Sequence, residues 1–189
     1  DVYKRQVLLL GKGPDAAKRL AGEFARRQAK KTYWALVIGN PKPAAGQIDM
    51  PLKKTGINDY EIMRPADPKE HGAEPAETAY ATISRAAHRA AWMGLRPFTG
   101  RTHQLRAHMA AIGHPILGDP KYGDERSAEL SGPLKLQLHA RRIELDHPGG
   151  GKLIVEAPLS PEMRAGFAHF GFSEDEADED VFANVRRQR

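Results

Sequence analysis

The apolar positions of this 189-residue chain fall mainly into short runs and alternating stretches, with helical spacing in only a few places. Val7-Leu8-Leu9-Leu10, bounded by Gly11 and Gly13, is too short for a helix and predicts a buried strand. Pro14 suits a first helical turn, and Ala17, Leu20, Ala21 and Phe24 then form an apolar stripe, with Lys18, Arg19, Arg26, Arg27, Lys30 and Lys31 elsewhere. The basic end of that helix is explained equally well by compensation of the helix dipole and by contact with an anionic partner. Lys31 to Gly39 is rich in β-formers and closes on Gly39-Asn40-Pro41, which predicts a second buried strand.

From Pro41 to Glu77 the chain is punctuated by Pro, Gly, Lys and Asp and predicts loops with small edge strands. Thr78 to Ala86 and Ala91 to Pro97 alternate and predict an antiparallel pair. Leu95 to Gly123 reads as strand, turn, helix and turn: Thr99-Gly100 makes the turn, Thr102 is placed to cap, and Leu105, Met109 and Ile112 recur until Gly113 stops the run. Leu134 to Asp146 and Lys152 to Glu156, divided by His147-Pro148-Gly149-Gly150-Gly151, predict a hairpin. Ser160-Pro161 opens a last helix with Met163, Phe167 and Phe170 on one side. Residues 173–189 hold too few apolar side chains to bury and are predicted to be a disordered tail.

The length suits one domain. Net charge is +5, but six acidic residues lie between Glu174 and Asp180, so residues 1–172 carry 26 basic against 18 acidic side chains. A surplus of that size favours a nucleic-acid partner. No apolar run approaches the roughly 20 residues that span a bilayer, and no leader pattern opens the chain, so a cytoplasmic protein without membrane contact is expected. The absence of cysteine excludes disulfides and thiolate metal sites.

Among chemical motifs, the first turn of the central helix is crowded with Arg101, His103, Gln104 and Arg106. A helix start already favours phosphate, so an anionic ligand is expected, although a capped surface helix with solvated arginines fits these features as well. Tyr33, near the start of its strand, reads by itself as a core residue with its hydroxyl at the rim. His103, His108 and His114 are spaced by five and six, share no helix face and have no acid among them in ligand order, so no metal is expected. No phosphate-binding glycine loop or nucleophile elbow occurs, and Gly11-Lys12-Gly13 is too short to count.

GRTHQLRAHMAAIGHPILGDPKYG, residues 100–123, closely resembles the third motif of the RluA type of RNA pseudouridine synthase. KKTYWALV is similar to a second segment of that family, and LQLHARRIELDHP followed by EAPL to a later one. The resemblance covers residues 7 to about 165. It implies isomerisation of uridine without a cofactor: the uracil is cut from its sugar, rotated and rejoined through carbon, with one aspartate as covalent catalyst. By the same resemblance Arg106 pairs with that aspartate, Leu105 helps wall the uracil, Tyr33 lies against the base, and Arg101, His103 and Gln104 meet phosphate or ribose.

The family writes the nucleophile segment as HRLD, two residues, then TSG ahead of an apolar strand. Asp1 stands in register for it, six residues before Val7, but Lys4-Arg5-Gln6 stands where Thr-Ser-Gly belongs. Residues 1–6 are therefore expected to be foreign, a cloning or assembly scar, and 7–172 to be a catalytic domain incomplete at its N-terminus. The elements and the resemblance together predict an α+β fold, a mixed, largely antiparallel sheet flanked by helices, with an RNA cleft where Tyr33 and Arg106 meet. A monomer acting on ribosomal or transfer RNA is the expectation, and an RNA-binding module without activity is the competing one.

Overall fold

The computed structural model describes residues 10–25, 29–56, 61–147, 149–178, 180–183 and 185. Asp1 and the rest of the first six residues, Val7–Leu9 of the strand expected at Val7–Leu10, and Arg26 and Arg27 lie outside the described residues, while Leu10 is exposed and belongs to no strand.

After helix α1 (Pro14–Ala25) the chain builds a six-stranded sheet from β1 (Lys30–Ile38), β2 (Ala45–Asp49), β6 (Glu77–Ala86), β7 (Ala90–Pro97), β8 (Leu138–Asp146) and β9 (Lys152–Glu156). Its order is β2-β6-β7-β1-β8-β9. A second sheet, β4-β3-β5, is made by β3 (Leu52–Thr55), β4 (Ile62–Pro65) and β5 (Ala73–Glu74). Every pairing among the described residues is antiparallel. The fold is α+β, with α2 (Gln104–Ala111) on one face of the large sheet and α4 (Pro161–Phe170) on the other.

This two-sided cover explains why β1 reads as a continuous apolar run. Ala35 and Val37 pack with Met93 and Leu95 beneath Leu105 and Met109 of α2, while Trp34 and Leu36 pack with Trp92 against Met163 and Phe167 of α4. Trp92 is fully buried, with its ring 4.7 Å from both Trp34 and Phe167. Truncation of such a residue to alanine costs about 3–5 kcal/mol.

Three expectations change. α2 begins at Gln104 with His103, in a left-handed conformation (φ 48°), as its N-cap, and Thr102 is exposed rather than capping. No side chain caps this helix; the Gln104 Oε1 instead turns back to accept the Arg101 N–H of the preceding turn. A further helix, α3 (Glu125–Ser131), forms where no apolar stripe marks one, started by a capping box between Asp124 and Ser127. The third change is in the tail. A 3-10 turn forms at Glu174–Glu176, and Phe182 is only 5% exposed, packed with Val181 against Ala79 and Ala81. Gly94 makes the room, since a Cβ there would lie 2.8 Å from a Val181 methyl. Small residues on the sheet supply a surface that the tail's few apolar side chains can cover.

Candidate active site

On the α2 face, where β1 and β7 meet the turn before α2, lies a cleft of about 850 Å³ lined by Lys31, Tyr33, Arg101, His103, Leu105, Arg106, Leu136 and Leu138, among others. Tyr33 enters it from β1, paired with Leu95 of β7 and Ala140 of β8, just after an irregularity in the β1–β8 register. Burial pushes its phenol above the usual range, so the ring is neutral at physiological pH. Burial likewise lowers the Lys31 ammonium. Leu105 is held by the core cluster beneath α2.

Arg106, the next residue, does not join the core. Its Nε and Nη2 donate to Asp119 Oδ2 and Oδ1 at 2.7 and 2.6 Å, a bidentate fork in which the arginine side chain is 13% exposed and the carboxylate 0%. Asp119 Oδ1 also accepts the backbone N–H groups of Lys121 (2.9 Å) and Tyr122 (3.0 Å), so the carboxylate is fixed by its own turn. The guanidinium lies over the Tyr122 ring, 5.0 Å from its centre. Tyr122 Oη accepts the Met63 N–H at 2.7 Å, which leaves its proton for His103 Nδ1 at 3.1 Å. One turn, 119–122, thus orients both Arg106 and His103 and ties them to β4.

Arg101 sits at the rim, its Nε on the Pro75 carbonyl at 3.0 Å and its Nη1 3.3 Å from Glu74. Gln104 differs from expectation. It is 4% exposed, its Oε1 accepts from Thr99 Oγ1 (2.6 Å) and Arg101 N (3.0 Å), and its Nε2 donates to the Glu77 carbonyl (2.9 Å) and Thr78 Oγ1 (3.0 Å). With every amide position used, no group is left for phosphate or ribose. The Thr78 hydroxyl donates to His108 Nδ1 at 2.9 Å, and His108 Nε2 donates to the Met50 carbonyl at 2.9 Å. His114 binds the Ile38 carbonyl. The three motif histidines therefore have separate partners, and among the described residues no group of three or more side chains could hold a metal.

The structure brings Tyr33, Arg101, His103, Gln104, Leu105 and Arg106 together at one cleft, Gln104 with its amide already hydrogen-bonded within the protein, and Asp1 lies outside the described residues. Sequence reasoning missed Asp119 and Tyr122, which it read only as parts of a turn, together with the Leu136 and Leu138 wall. The signal was present in GDPKYG, but nothing local links an aspartate to an arginine thirteen residues earlier.

The cleft thus combines an aromatic and aliphatic wall with cations at its rim, held by an antiparallel α+β domain. The model of the RNA pseudouridylate synthase family matches residues 7–111. The dual-specificity RNA pseudouridine synthase RluA of Salmonella typhi is 39% identical over 155 residues, covering 80% of this chain and 66% of that protein. The enzyme of the same name from Escherichia coli is 37% identical over 163 residues, covering 84% and 70%. The tRNA pseudouridine synthase C of Salmonella typhimurium is 36% identical over 178 residues, covering 88% and 68%. Among solved structures, human RNA pseudouridylate synthase domain containing 4 superposes with a TM-score of 0.69 at 27% identity, covering 84% of this chain and 69% of that one. The chain belongs to the RNA pseudouridylate synthase family. It spans about two thirds of the length of the curated relatives it matches. No helix among the described residues is long and apolar enough to cross a membrane.

Proposed function

We propose that this chain is the catalytic portion of an enzyme that isomerises uridine to pseudouridine in ribosomal or transfer RNA, working as a cytoplasmic monomer without metal or cofactor. The observation that carries this is the convergence of Tyr33, Leu105 and Arg106 in one cleft. The flipped uracil lies against the neutral Tyr33 ring with Leu105 beside it, as base-modifying enzymes require an extruded base. Arg106 spends Nε and one Nη2 hydrogen on Asp119, leaving its remaining edge for the catalytic carboxylate. In the reaction the bond from uracil N1 to the sugar breaks and one from C5 forms, N1 gains a proton and C5 loses one.

A second reading, an RNA-binding module without turnover, is favoured by Lys4-Arg5-Gln6 in the place of Thr-Ser-Gly. Release of tritium from RNA carrying 5-tritiated uridine separates the two. The chain is compared with its Asp1→Asn form and with a version bearing His-Arg-Leu-Asp, two residues and Thr-Ser-Gly ahead of Val7. Release that Asp1→Asn abolishes makes Asp1 the nucleophile. Release only from the restored version makes residues 1–6 a scar. RNA binding with no release from any form leaves the binding module.

A further inference from the structure

The far end of β1 carries a second pocket of about 460 Å³, lined by Asn40, Pro41, Lys42, Ala44, Arg85 and His88. No acidic side chain lines it. Lys42, Arg85 and His88 are exposed, as is Arg89 on the same β6–β7 turn, and none of the four is ion-paired to a described residue. Elsewhere the described arginines and lysines are mostly neutralised, as at Lys53 and Arg64 with Glu70, or Arg141 and Arg142 with Glu156. An unneutralised cation cluster in a protein that otherwise pairs its charges is a binding surface for anions.

The cluster is also held in shape. Asn40 Nδ2 donates to the Ala87 carbonyl at 2.7 Å and Gly39 N to the Arg89 carbonyl at 2.7 Å, which clamps the turn between β6 and β7. Charges on a clamped turn lose less entropy on binding than charges on a loose one. The buried Asn40 Oδ1 has no hydrogen-bond partner among the described residues.

Placement relative to the cleft follows from register. Arg85 pairs with Ala91, which belongs to the core cluster beneath α2, so Arg85 shares the sheet face of the cleft. Through Ala91, Arg85 stands level with Val37, four residues along β1 from Tyr33 and two strands across, roughly 17 Å at about 3.4 Å per residue and about 4.8 Å per strand, and Asn40 lies three residues further along the chain. A stacked strand advances about 3.4 Å per nucleotide, so the pocket stands about five to seven nucleotides from the cleft.

We propose that Lys42, Arg85 and His88 form a remote anchor for the RNA phosphate backbone, about five to seven nucleotides from the uridine in the cleft. The proposal rests on the function proposed above. It adds that affinity for the RNA depends on flanking nucleotides the cleft never touches.

The test measures the affinity of the chain and of its Lys42→Gln/Arg85→Gln form for two stem-loops, one trimmed to about four nucleotides on each side of the target uridine and one extended to about ten. Each phosphate contact contributes about 0.7–0.9 to the slope of log affinity against log salt, so the double variant should bind the extended RNA about tenfold more weakly near 150 mM salt and with a slope shallower by about 1.4–1.8. Binding of the trimmed RNA should be unchanged, which also shows that the variant is folded. Unchanged binding of the extended RNA, or equal loss on both, overturns the anchor. Failure of the unmodified chain to bind either RNA overturns the proposed function itself, and the anchor with it.

Discussion

Replacing Asp119 with asparagine removes one charge and keeps the shape, which isolates the Arg106 fork. Breaking a fully buried ion pair costs about 3–5 kcal/mol because the surviving charge is stranded. Two features lower that figure. Arg106 borders the cleft, where water reaches its outer edge, and an asparagine Oδ1 can still accept the Lys121 and Tyr122 N–H groups. About 2–3 kcal/mol remains, and with a urea dependence of about 2 kcal/mol per molar the unfolding midpoint should fall by about 1–1.5 M with its slope unchanged. Lys152 and Asp146 give the control, since their N–O separation is also 2.6 Å but both side chains are more than half exposed, at 62% and 57%. Asp146→Asn should leave the midpoint in place, because solvent screens an exposed pair. An Asp119→Asn midpoint within about 0.2 M of the parent, a shift of roughly 0.4 kcal/mol, would refute the reasoning and make the fork a surface contact in effect.

Arg106→Lys keeps the charge but offers one point of attachment where the guanidinium offers two, so turnover should fall far more than RNA affinity; single-turnover rates set beside binding constants check this, and equal losses in both would make Arg106 a phosphate contact. Burial pushes the His108 imidazole below its ordinary value, which means the unfolded chain takes up a proton that the folded chain resists. Its stabilising contribution is therefore complete above about pH 6.5 and is lost as pH falls towards the folded value. Urea midpoints at about pH 7.5 and 5.5 should separate more for the parent than for His108→Gln, and equal separations would remove His108 as a source of acid sensitivity.

The strands were legible where their own pattern decided them. β1, β6, β7 and the β8–β9 hairpin announce themselves by β-formers, alternation and turn residues, and α4 by its Ser160-Pro161 start. α3 was not, because ERSAELS has no apolar stripe and depends on the Asp124–Ser127 box. The tail was not, because Val181 and Phe182 have no local reason to fold and acquire one only where Ala79, Ala81 and Gly94 leave a shallow surface. The same division holds in the site. The spacing of Leu105 and Met109 exposes the buried stripe of α2, whereas the Arg106–Asp119 fork joins a helix to a turn whose approach is set by the fold.

Gln104 shows why polar residues in a ligand-facing motif are hard to assign. It shares a helix face with His108, four residues on, and both turn inward to Thr78 of β6, while Arg106 lies between them in sequence and faces the cleft. Apolar packing alone would let α2 slide along the sheet, since Leu105 and Met109 meet a broad aliphatic surface. Hydrogen bonds from Gln104 to Glu77 and Thr78, from Thr99 to Gln104, and from His108 to Met50 are directional and fail if the helix shifts by a fraction of an ångström. They fix where α2 stops along β6, and so where the Arg106 fork meets Asp119. The inward-facing polar pair of the motif therefore sets the position of the helix, and with it the position at which Arg106 lines the cleft.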